Sequence, residues 1–377
     1  MKLHVISFQV PYPANYGGVI DVYYKLLALR QAGFEVTLHT YAYDGRQVQP
    51  ELERICADVK SYHRCTGLRA QMSALPYIVR SRNDDALLQN LLTDDAPILF
   101  EGLHTCYFLD HPALANRVKV VRMHNIEHDY YKLLAQQAGF SWKAAYYWIE
   151  SCKLQTFERR LNHASLVYAI TEADRLQLQG RYPELRVETL PCFFNADIPV
   201  TFTETEPFVL YHGNLSVEEN SQVARFIIRQ VAPLCPNIRF IIAGRSPNLG
   251  AVPENVEVVA NPSDSQLDEL LCKARVHLML TFQPTGIKLK LLNTLVRGSG
   301  HIIANKEMLH GHQLGRFCVQ ADTPGEMADA IVRFMNTQAD MELFNAKRAA
   351  IASLQADAQN RLGLIADLQK QKSEKRT

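Results

Sequence analysis

The stretch Val276–Ala304, VHLMLTFQPTGIKLKLLNTLVRGSGHIIA, reads as strand, loop, helix and strand. Val276–Leu280 and His301–Ala304 are short apolar runs of the kind that parallel sheets bury on both faces. Pro284 and Gly286 close the loop before a helix whose leucines recur at helical spacing. Lys288 and Lys290 stand in or beside that helix's first turn. A helix start already carries free backbone N–H groups and the positive end of the dipole, so added lysines make physical sense where an anion docks. A solvated helix start is the alternative reading of the same residues. On a helical wheel Gly286, Lys290, Asn293 and Arg297 share one stripe, which makes Lys290 the preferred ligand-facing lysine and points Lys288 away.

The same alternation extends in both directions. Upstream, strands are expected at Leu3–Phe8, Glu35–Tyr41, Pro97–Glu101, Val118–His124, Leu166–Thr171 and Val187–Leu190, then at Phe208–His212, Arg239–Ala243 and Val256–Val259. Helical periodicity separates them, as in Val19–Ala32, Ser216–Val231, Ser263–Ala274 and Met327–Asn336. Repeated βαβ units predict an α/β protein built on doubly wound parallel sheets. With 377 residues, and about 150 residues to a domain, two domains are expected. The polar, acidic stretch NADIPVTFTETE (Asn195–Glu206) is the natural boundary. It gives domains at 1–197 and 207–337, followed by a helical segment and tail at 338–377.

Forty basic against thirty-nine acidic side chains leave a formal charge of +1, so no global field favours nucleic acid. The eight cysteines show no CxxC pair and no metal-ligand spacing, which suits reduced thiols in a cytoplasmic protein. The opening run MKLHVISFQVPYP is broken by Pro11 and Pro13 and reads as a first strand, not a signal peptide. No apolar run is long enough to cross a membrane.

In doubly wound sheets, ligands bind beyond the carboxyl ends of the strands. Four segments stand there. Pro11–Gly18 follows the first strand, and Gly17 and Gly18 let backbone approach a ligand at a helix start. Arg122–His128, RMHNIEH, follows the apolar VKVV. His124 there can exchange a hydrogen bond with a substrate hydroxyl, whereas an Asn125 cap with Glu127 and His128 in solvent is the bland reading. A zinc site on His124 and His128 has the spacing but no further ligand. In the second half, Gly213 and Asn214 follow one strand and Gly244–Arg245 another, and Arg245 is a candidate phosphate or base contact.

These motifs, in this order, resemble the GT-B glycosyltransferases, most closely the retaining family 4 type. The likeness is densest from Tyr211 to Arg297: a strand with HGN, a strand ending AGRSP, the PSDSQLDELLCKARV helix, then GIKLKLLNTL and HIIAN. It implies two Rossmann-like domains facing across a cleft, a nucleotide-diphosphate sugar held mainly by the second, and a glycan, lipid-linked saccharide or protein acceptor held mainly by the first. By the same resemblance, Gly17 and Gly18 approach the diphosphate and acceptor, His124 contacts the transferred sugar, and Lys290 (with Lys288) holds the diphosphate. No metal or other cofactor is implied, because cations and helix ends stabilise the leaving phosphate. The family usually carries two glutamates eight positions apart, the first attending the sugar and the second accepting from the nucleotide ribose, and Thr285 and Asn293 stand in their places.

Those replacements motivate a second expectation, a catalytically reduced GT-B-like protein that binds a sugar or partner. A Rossmann oxidoreductase is a distant third, since no GxGxxG follows a strand. Two stretches, Lys60–Arg82 and Trp142–Trp148, combine aromatic and apolar residues with basic ones. They give the expectation of a peripheral contact at the inner membrane face, against ordinary helix faces with buried aromatics.

Overall fold

A computed structural model of the chain describes residues 1–245, 248–283, 288–311 and 313–375, apart from the side chains of residues 69 and 313. The chain forms two compact units. The first comprises Met1–Phe194 with Gln355–Thr377, and the second Asn195–Leu354. The expected C-terminal segment at 338–377 is thus divided between them, its helix Met341–Glu374 beginning in the second unit and ending in the first.

The first unit is built on seven strands: β1 Lys2–Ile6, β2 Glu35–Ala42, β3 Asp58–His63, β4 Ile98–Glu101, β5 Lys119–Arg122, β6 Leu166–Ala169 and β7 Val187–Thr189. They lie in the order β3-β2-β1-β4-β5-β6-β7, all parallel. β4, β5 and β6 are buried at every position. One apolar cluster covers each face, around Phe100, Val121 and Leu154 on one side and Leu26, Val120 and Leu362 on the other. Each such side chain stabilises the fold by about 1.5–3 kcal/mol on full burial. Strand order reverses between β1 and β4, which opens the crevice where such sheets bind ligands.

The second unit holds β8 Glu206–Asn214, β9 Arg239–Arg245, β10 Val256–Ala260, β11 Ala274–Met279, β12 His301–Ala304 and β13 Val319–Gln320. Their order is β10-β9-β8-β11-β12-β13, again all parallel, with the reversal between β8 and β11. Its helix 263 start carries a reciprocal cap between Ser263 and Gln266.

Two strands lie outside the sequence expectation. β3, DVKSYH, is an edge strand with a single fully buried position, so its polar composition hides it. β13 has only two residues. The helix expected over Ser216–Val231 is instead Glu218–Phe226, continued by a wider π turn to Val231 ahead of Pro233.

Candidate functional site

Each unit places chemistry at its own point of strand reversal. In the first, the helix Gly17–Gln31 starts at Tyr16 with no capping side chain and no acidic residue in its first turn. Its leading N–H groups are left without a side-chain partner. Gly18 lets the Phe8 ring come close, since an added Cβ would lie 2.7 Å from the tip of that ring and push it aside. That ring packs between two imidazoles, His104 and His124, each with its centroid 5.5 Å away. Gly102 adopts φ +74 just after β4, and a Cβ on it would stand 2.9 Å from His104 Nδ1.

Beneath these rings lies a buried ion network. Lys25 Nζ donates to Glu101 at 2.7 and 2.8 Å and to Asp21 at 3.1 Å. Glu101 Oε2 is 2.9 Å from His124 Nε2. Asp21 also accepts from the Phe193 N–H at 2.7 Å and lies 3.6 Å from Arg122 Nε. Burial pushes both carboxyls up, but Lys25 first, with Arg122 and His124 at Asp21 and the His124 hydrogen bond at Glu101, outweighs it and holds each below its ordinary range. Asp21, Glu101 and His124 are close enough together to hold a metal ion. The Lys25 ammonium, however, already bridges the two carboxylates, so this donor set is closed by a cation of the chain itself. Among the described residues His124 Nδ1 has no hydrogen-bond partner.

The bland reading of the RMHNIEH segment fails. The helix Glu127–Gln137 is preceded by Ile126 without a side-chain cap, and Glu127 and His128 are buried at 2% and 4% exposure. Burial, then the nearby Glu158 carboxylate, pushes the Glu127 carboxyl up to about 8, which favours its neutral form. Its Oε1 lies 3.9 Å from His104 Nδ1, and among the described residues neither atom has a hydrogen-bond partner. His128 is turned from His124 towards Glu158, with 2.7 Å from Nδ1 to Oε1.

In the second unit, Gly213 and Asn214 end β8, opposite Gly244 and Arg245 of β9. Lys290 Nζ donates to the Leu280 carbonyl and to Asn220 Oδ1, both at 3.0 Å, and lies 3.5 Å from the Tyr211 hydroxyl. Burial pulls its pKa down, opposed by Glu219. Lys288 precedes the helix Leu289–Arg297 and reaches the Gln283 carbonyl. Glu219 accepts from the Thr281 hydroxyl and the Phe282 N–H.

The expected polar stripe is therefore split. Lys290 faces β8 and β11, whereas Asn293 Oδ1 accepts from Arg297 at 2.9 Å and Arg297 Nε lies 2.7 Å from Asp268. Asn214 closes its own turn by accepting from the N–H and hydroxyl of Ser216. Arg245 is exposed at its strand end. Thr285 and Gly286 lie outside the described residues. Gly17, Gly18 and His124 share the first site, and Gly213, Asn214 and Lys290 the second. Asp21, Lys25, Glu101 and His104 were not anticipated. The available signals were an Asp and Lys four apart in an apolar helix, and a lone acid ending the ILFE strand.

Among solved structures, the sucrose-phosphate synthase of Thermosynechococcus elongatus matches with a TM-score of 0.68 at 15% identity, over 98% of both chains. Anabaena HepE, solved with UDP and glucose, matches at 0.58 and 15% identity over 100% of this chain and 99% of its own. The chain has the GT-B fold. A third GT-B structure, S. aureus TarM with fondaparinux, α-GlcNAc-glycerol and UDP, gives 0.64 at 10% identity over 95% and 99%. An uncharacterised 44.6 kDa protein in the cps region of Klebsiella pneumoniae is 26% identical over 325 residues, 78% of this chain and 80% of that protein. No protein-family model matches the chain.

Proposed function

We propose that this GT-B protein is a retaining glycosyltransferase of glycan biosynthesis. It moves a sugar, a hexose, from a nucleotide-diphosphate donor to a glycan, lipid-linked saccharide or protein acceptor. The observation that carries the reading is Lys290, a lysine in the first turn of a helix, set at the point of strand reversal in the second unit beside the glycine end of β8. The lysine and the helix start are suited to a diphosphate. Solved GT-B structures that hold UDP support the same assignment.

In this reading the bond from the anomeric carbon to the diphosphate breaks and the bond to the acceptor oxygen forms. The acceptor proton leaves with the diphosphate. Lys290 stabilises the negative charge that develops on the leaving group, a role that needs no metal ion. His124, its imidazole fixed by Glu101, meets the transferred sugar. The protein acts in the cytoplasm, at the periphery of the inner membrane face.

A catalytically reduced, sugar- or partner-binding protein is the second reading, favoured by Asn293 being engaged with Arg297. Calorimetric titration with UDP and GDP, combined with an assay for sugar-nucleotide hydrolysis, separates the two. Binding of one nucleotide supports the enzyme; binding of neither, with no hydrolysis, overturns it. If the enzyme reading holds, His124→Ala slows transfer more than it weakens nucleotide binding, and an equal loss in both removes His124 from the sugar.

A further inference from the structure

We propose that the hairpin of helices Glu127–Gln137 and Trp142–Glu158 docks the protein on an anionic lipid bilayer. The base of the hairpin is fixed. Ser151 donates to the His128 carbonyl at 2.7 Å, Glu158 holds the His128 ring, Glu150 accepts from the Tyr77 N–H at 2.6 Å, and Leu154 and Phe157 are buried. The outer half is different. Phe140 is fully exposed, Trp142 is 94% and Trp148 61% exposed, and Tyr146 and Ile149 also face solvent. A cluster of large apolar side chains left in water at the end of a rigid support is a contact surface.

Its composition selects the partner. Tryptophan and tyrosine, with an apolar body and one polar edge, suit the level of lipid headgroups. From Tyr130 to Ile149 the only charged residues are Lys132 and Lys143. Among the described residues no carboxylate pairs with either, and Lys143 lies 5.8 Å from the Tyr147 ring centre. A two-fold contact between copies of this chain would set these lysines against their own kind, whereas anionic headgroups neutralise them. Between the helices, the small side chains of Ala135, Ala144 and Ala145 leave a groove of about 440 Å³ beside Lys132 and Trp148.

This surface rests on the transferase reading only for its purpose, which is to bring the chain to lipid-linked acceptors. The test needs no sugar nucleotide, so its failure leaves the donor titration untouched. Trp142 and Trp148 are the two tryptophans of the chain, so tryptophan emission, excited beyond the tyrosine absorption band, reports this hairpin alone. The full chain is mixed with phosphatidylcholine vesicles that either contain or lack phosphatidylglycerol. A blue shift, with quenching by brominated lipid, is expected on the anionic vesicles and more weakly on the neutral ones. Phe140→Ser, which removes an exposed side chain and leaves the core intact, should weaken partitioning about tenfold. Lys143→Glu should weaken binding to the anionic vesicles about fivefold or more and remove the preference for them. Unchanged emission on anionic vesicles overturns the proposal. So does sedimentation with vesicles that Phe140→Ser leaves intact. A blue shift that grows with protein concentration without vesicles replaces the bilayer with a second copy.

Discussion

The two points of strand reversal use opposite electrostatics. In the first unit charge answers charge: Asp21 and Glu101 face Lys25 and Arg122, all buried, and their formal charges cancel. In the second unit the Lys290 ammonium is met by the Leu280 carbonyl, the Asn220 amide oxygen and the Tyr211 hydroxyl, all neutral. The nearby Glu219 is already engaged by Thr281 and Phe282. A compensated site lined by imidazoles and an aromatic ring suits a neutral ligand rich in hydroxyls. A cation whose direct contacts are dipoles, with Glu219 acting on it only from a distance, keeps part of its attraction for an anion. The proposed handling of a sugar nucleotide, with sugar met by the first kind of site and diphosphate by the second, rests on this contrast.

The largest effect expected from this contrast is on stability. Lys25→Met leaves two buried carboxylates without their shared cation and should cost about 3–5 kcal/mol, the range for breaking a buried pair. Lys290→Met removes a cation that no carboxylate neutralises directly and should cost much less. Urea unfolding of both variants checks this, and equal losses would mean that the two sites do not differ as described.

The next effect is on binding. Lys290→Ala should weaken nucleotide-diphosphate binding by about 1.5–3 kcal/mol, roughly ten- to hundredfold, as for a hydrogen bond to a charged group. The 3.5 Å contact with Tyr211 is the longest of the lysine's three and the one a phosphate oxygen displaces most easily. Parent-like affinity in calorimetry would move the anchor elsewhere.

A third effect is common to both units. Burial, with His4 and Lys60 next, pulls His39 down to about 3, and burial, with Lys290 and Arg297 next, does the same to His212. His39 lies in a chain of hydrogen bonds from Asp94 through His4 to Tyr62. Each folded-state value lies below the unfolded 6.5, so the unfolded chain takes up the proton first. The stability that these two histidines contribute is therefore full above about pH 6.5 and falls as pH drops towards 3, by about 1.4 kcal/mol per unit for each histidine. Thermal unfolding across that window measures the slope, and His39→Asn should flatten it. A slope that His39→Asn leaves unchanged would assign the loss to other groups.

The contrast was only half legible in the sequence. Apolar runs such as LVYA and HLM announce buried parallel strands, and a lysine in a helix's first turn is visible by position alone. The first site was hidden because its members are far apart in the chain. Residues 21, 25, 101 and 124 meet only after β1, β4 and β5 have paired, and buried charges run against composition rules. Direction was hidden as well. The wheel placed Lys290, Asn293 and Arg297 on one stripe, but Asp268 draws Arg297, and with it Asn293, towards the neighbouring helix.

The smallest effect follows from that last detail. Asn293 stands where the resemblance expects a glutamate on the nucleotide ribose, yet its side-chain oxygen is taken by Arg297. If the amide only supports Arg297, Asn293→Ala costs about 0.5–1.5 kcal/mol of stability, the net worth of one hydrogen bond, and leaves UDP affinity within about twofold. If the amide turns to a ribose hydroxyl when donor binds, it gives up Arg297, and affinity falls about tenfold instead. The same substitution paired with Arg297→Ala tells the cases apart. Stability losses that do not add indicate the internal contact, and an affinity loss that persists without Arg297 indicates the ribose.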